Sequence, residues 1–80
     1  MKKAKSIPNF IKAELKMHGW MEIGKGMMQG FIYVKDGVEL VIVPSTMGRM
    51  YHLTRTKMSE TTTRFIHEPE LLRVIETEGD

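Results

Sequence analysis

The chain has 80 residues, a formal net charge of +2 and no cysteine. That length allows one domain that buries only about 60–65% of its unfolded surface, so stability is expected to be modest. The missing cysteines exclude a disulfide frame and thiol-based zinc sites, and suit a reducing cytoplasm. The near-balance of charge falls short of the basic excess usual in dedicated nucleic-acid binders.

Residues 1–5 are basic, but no apolar run follows them, so neither a signal peptide nor a membrane span is expected. Ser6 can cap a helix with Pro8 in its first turn. Ile7, Phe10, Ile11 and Leu15 recur at helical spacing, which predicts a helix at about 7–18 with Gly19 just past its end. Trp20–Ile23 reads as a short strand and Gly24-Lys25-Gly26 as a flexible loop.

A second strand is predicted from about Met28 to Lys35 and a third from Val38 to Val43, joined by Asp36-Gly37. Asp-Gly between two β-branched and aromatic runs is a strong hairpin signal, because a type I′ turn needs φ > 0 at both central residues. The two-residue turn fixes the register: Lys35 faces Val38, Val34 faces Glu39, Tyr33 faces Leu40, Ile32 faces Val41 and Phe31 faces Ile42. Phe31, Tyr33, Leu40 and Ile42 then share one face, and Ile32, Val34, Val41 and Val43 the other. Both faces are apolar, so each needs a cover: a helix on one, and a second helix or a second copy of the chain on the other.

Pro44 ends the third strand and Ser45–Gly48 makes a turn. Arg49–Arg55 alternates as a fourth strand, expected near an edge because charges lie on it. Residues 59–67 carry both a helix-start signal at Ser59 and a β-branched threonine run, and read as a short fifth strand at about 61–66. Pro69 opens a terminal helix, Glu70–Thr77, with Leu71, Leu72 and Ile75 on its apolar stripe. There are no repeats. The fold class is α+β: helix, antiparallel meander of three to five strands, helix.

Chemistry is sparse. His18, His52 and His67 are far apart, without the spacing of a helical metal pair or a short histidine–acid cluster, so no metal site, cofactor or catalytic residue is assigned. Gly24-Lys25-Gly26 lacks the helix that a phosphate-binding loop should open. Ser45-Thr46 reads as turn chemistry rather than a nucleophile elbow. Arg49, Tyr51 and Arg55 with Lys57 and Arg64 could hold a phosphate backbone and stack a base, or could simply blunt a solvated edge strand.

The segment from Phe10 to Pro44 resembles the HicA family of small bacterial toxins. The likeness rests on the helix FIKAELKMHGW ending in Gly19-Trp20, the Asp36-Gly37 turn and the strand Leu40-Val41-Ile42-Val43-Pro44. It implies a double-stranded-RNA-binding-like fold of helix, three-stranded sheet and helix, and a ribonuclease neutralised by a partner antitoxin. The family's catalytic histidine lies in a Gly-Ser-His stretch, where this chain has Met27-Met28-Gln29. Glutamine is no general acid or base, so the resemblance implies the scaffold without the nuclease.

The functional expectation is a small non-catalytic cytoplasmic module that occupies a protein partner, of the kind found among prophage-encoded inhibitors and regulators. The alternatives are a nucleic-acid-binding domain and a divergent ribonuclease using His52 or His67. A homodimer is expected, because the terminal helix is too short to cover the second sheet face. The partner-binding residues are expected at the sheet end opposite Asp36-Gly37, where two loops gather Lys25, Met27, Met28, Met47 and Arg49. Methionines there are either an adaptable contact lip or core filler.

Overall fold

A computed structural model describes residues 7–25 and 30–77 of the chain. The order is α1 (Asn9–Met17), β1 (Met21–Lys25), β2 (Phe31–Lys35), β3 (Val38–Pro44), β4 (Met50–Lys57), β5 (Glu60–His67) and α2 (Glu68–Thr77). The strands form one antiparallel sheet in the order β1-β2-β3-β4-β5, which is the expected meander at its full five strands. Ser6, the expected cap, lies outside the described residues.

α1 ends where the sequence asks it to. Gly19 sits at φ +89°, its N–H donating to the Lys16 carbonyl, while the Trp20 N–H reaches back to the Leu15 carbonyl at 2.8 Å. This is a Schellman close, and it turns the chain directly into β1. The Asp36-Gly37 turn has positive φ at both residues, 49° and 81°, as type I′ geometry requires. The β2–β3 register is the expected one at all five positions.

That register sets the faces. Phe31, Tyr33, Leu40, Ile42, Tyr51, Leu53 and Ile66 are buried on one side, beneath Ile7, Ile11 and Leu15 from the α1 segment and Leu71, Val74 and Ile75 from α2. Each such side chain contributes about 1.5–3 kcal/mol by leaving water. The two helices touch each other, and the Trp20 indole N–H donates to the Ile75 carbonyl at 2.9 Å, which fixes the end of α2 against the end of α1. Both helices therefore lie on the same side of the sheet. Of the two covers weighed for the opposite face, a second helix or a second copy, the helix is not the one: α2 has only ten residues, and its apolar stripe is used beside α1.

β4 is not an edge strand; it lies between β3 and β5. Its charges fit the interior because Arg55 and Lys57 fall towards the Met58-Ser59 turn, where β5 from Glu60 to Phe65 is exposed. The fifth strand forms because its threonines pair across the ladder, Thr54 with Thr63 at 3.3 Å and Thr56 with Thr61 at 3.1 Å.

Candidate protein-binding face

The side of the sheet away from the helices carries four cross-strand rows: Ile32–Val41–Thr54–Thr63, Val34–Glu39–Thr56–Thr61, Val43–His52–Phe65 and Met50–His67. Ile32, Val34, Val41 and Val43 are half-buried by their neighbours alone. Met21, opposite Val34, is 66% exposed. In β1 an extra residue, Ile23, breaks the ladder beside Gly24 and is also exposed, so the edge of this face is apolar too. At the other side, Phe65 stacks on the exposed His52 ring with centroids 4.5 Å apart. Among the described residues, Glu39 is the one fixed charge on this face. The threonine hydroxyls satisfy each other, which lowers the cost of covering them.

The expected contact lip lies at one end of the same sheet. Lys25 pairs with Phe31 and Phe31 with Ile42, so the β1–β2 and β3–β4 connections share an end, opposite Asp36-Gly37. Met47 is 68% exposed there and is not core filler. Its N–H donates to the Ser45 hydroxyl, a serine turn that closes the loop. Arg49 is exposed at the same end, and its carbonyl accepts the Glu68 N–H. Met27, Met28 and Gln29 lie outside the described residues.

The five residues grouped for nucleic acid do not form one stacking strip. Tyr51 is 3% exposed under α2, and its hydroxyl donates to the buried Glu68 carboxylate at 2.9 Å. Its ring offers no face to a base. Burial and that hydrogen bond push its pKa up to about 12. Arg64 pairs with Glu70 at 3.1 Å. Arg55 and Lys57 lie towards the far hairpin tip, on the helix side of the sheet, and Arg49 stands at the opposite end.

A groove of about 480 Å³ opens between α1 and the β1–β2 strands, lined by Lys12, Lys16, Gly19, Trp20, Met21, Glu22 and Tyr33. The Tyr33 hydroxyl donates to Glu22 at 3.0 Å, and burial holds that phenol protonated well beyond its ordinary range. Lys12 stands 5.5 Å over the Phe31 ring and Lys35 5.9 Å over Trp20, so both stems shield the aromatic core. A phenol held protonated beside a carboxylate is no general base.

The histidine reading needs one correction. His18 does follow an acid at i, i+4: Glu14 Oε1 lies 3.4 Å from its Nε2. The signal in the sequence is the Glu14-x-x-x-His18 spacing across the last helical turn, an acid–histidine pair rather than a pair of histidines.

Between the helices the chain carries five strands, where the HicA resemblance implies three; after Pro44 comes β4 rather than a helix. Among the described residues no helix is long and apolar enough to cross a membrane. Comparison with protein-family models, curated proteins and solved structures gave no match.

Proposed function

We propose that this protein works by binding another protein chain through the open face of its sheet, and not by catalysis. The observation that carries this reading is a five-stranded face with half-buried Ile32, Val34, Val41 and Val43 and, among the described residues, no helix over it and one fixed charge. Contiguous apolar surface of this kind is characteristic of interaction sites. Among the described residues this face offers a phosphate backbone no lysine or arginine, which favours protein over nucleic acid.

A second copy of the chain is the occupant that the chemistry favours. The β2–β3 part of the face is apolar, the threonines beside it are neutral and, among the described residues, Glu39 is its one fixed charge, so the face is compatible with itself, and two such faces would pack about 10 Å apart as a sandwich. Five strands about 4.8 Å apart and some 20 Å long present roughly 500 Å² in plan. That lies towards the small end of specific interfaces, which bury about 800 Å² per partner, so association is weak and isologous.

Sedimentation equilibrium from about 1 μM to about 1 mM, a range that brackets such affinities, tests it. The expected result is a reversible dimer that Val41→Lys and Ile32→Lys each convert to a cooperatively folded monomer. A monomer at every concentration, or a dimer indifferent to both substitutions, overturns the second-copy reading.

A further inference from the structure

Glu14, His18 and Glu76 bring one ligand atom each to within 4.8 Å of one another, with Glu14 and His18 half-buried and Glu76 exposed. Two of them stand one helical turn apart on α1; the third comes from α2, fifty-eight residues beyond His18 in sequence. The juxtaposition is anchored, since Trp20 is hydrogen-bonded to the carbonyl of Ile75, next to Glu76.

The helix dipoles favour a cation at this place. The cluster lies at the C-terminal ends of both helices, the negative poles of their dipoles. α1 carries Lys16 in its last turn, whereas α2 has no basic residue in its own to offset that pole.

We propose that Glu14, His18 and Glu76 bind one first-row divalent metal ion of the Zn²⁺ class, clamping the ends of α1 and α2 together. One imidazole and two carboxylates form a mixed nitrogen–oxygen set, suited to Zn²⁺ or Co²⁺ and poorly matched to the all-oxygen shells of Mg²⁺ and Ca²⁺. Zinc–ligand bonds of about 2.0–2.2 Å put tetrahedral donors roughly 3.4 Å apart. The Glu14–His18 pair already has that separation, 3.4 Å. The exposed Glu76 closes the rest, at most about 1.4 Å, by side-chain rotation alone. Three protein ligands leave a fourth position for water.

The test is calorimetric titration of chelator-treated, tag-free protein with ZnCl₂, paired with thermal unfolding. The expected result is one ion per chain and, at about a hundredfold excess over Kd, a Tm rise of roughly 10 °C or more. MgCl₂ should produce neither. Glu76→Gln, an isosteric change at an exposed position, and His18→Gln should each weaken binding at least about tenfold while the apo protein still unfolds cooperatively. No zinc uptake overturns the proposal. So does uptake unchanged by Glu76→Gln, which would place the ion away from the helix junction.

Discussion

The Tyr51 hydroxyl donates to the Glu68 carboxylate at 2.9 Å, with Tyr51 3% and Glu68 8% exposed. One residue belongs to β4 and the other opens α2, and the Glu68 N–H also donates to the Arg49 carbonyl. A carboxylate in the first turn of a helix is favoured by the helix dipole, and here it also anchors that turn to the sheet. The Tyr51→Phe variant leaves this buried acid without its hydroxyl partner. It should lose about 1–3 kcal/mol in chemical denaturation, with an unchanged m-value. A loss below about 0.5 kcal/mol would mean that solvent satisfies Glu68 instead.

The same hydroxyl sets an alkaline limit. Burial first, then the bond to Glu68, raises the Tyr51 pKa from 10.0 to about 12, and Tyr33 is raised in the same direction by burial and Glu22. A group whose folded pKa is raised contributes stability that is fully present below its unfolded pKa and lost as pH climbs towards the folded one. Tm should therefore be flat with respect to these two tyrosines below about pH 10 and fall above it. Thermal scans across that boundary check it. The slope of Tyr51→Phe should be shallower than that of the wild type, because one of the two phenols is gone.

The sequence makes the β2–β3 hairpin legible to the residue, since Asp36-Gly37 admits one turn type and that turn admits one register. Alternation likewise identifies Phe31, Tyr33, Leu40 and Ile42 as one face. It could not say which face the helices choose. That depends on the β5-to-α2 junction, which passes from His67 to Glu68 without a loop and folds α2 back beside α1. Charge on β4 misled for a related reason: Arg55 and Lys57 signal an edge only if the helices reach them, and the buried helix contacts centre on Tyr51, Leu53 and Ile66. The Glu14–His18–Glu76 grouping has a local half that can be read from spacing and a distant half set by the Trp20–Ile75 hydrogen bond.

Trp20 offers a direct measure of the helix junction. Its ring is 4% exposed, and its N–H is committed to the Ile75 carbonyl. Trp20→Phe removes that donor and leaves a buried void beside α2, so a loss of about 2–4 kcal/mol is expected. Amide exchange in α2 should accelerate more than in β3. Uniform acceleration would show that the junction does not hold α2 independently.

The two hairpin tips, Asp36-Gly37 and Met58-Ser59, lie at the same end of the sheet and should respond to substitution with opposite signs. Met58 holds φ at 58° and is 85% exposed, so an L side chain occupies the left-handed region with few contacts to compensate. That conformation costs a non-glycine residue about 1–2 kcal/mol. Met58→Gly relieves the strain but adds freedom to the unfolded chain, about 0.4–1 kcal/mol. The net expectation is a gain of roughly 0.5–1 kcal/mol, or a few degrees in Tm for a chain of this size. Gly37 presents the converse case. Its φ is 81° and a Cβ there would meet nothing within 4 Å, so Gly37→Ala introduces no clash and isolates the backbone term. It should cost about 1 kcal/mol. Measuring both by thermal unfolding separates turn strain from packing. If Met58→Gly lowers Tm, the Met58 side chain makes contacts that its exposure conceals, and the strain argument fails at that tip.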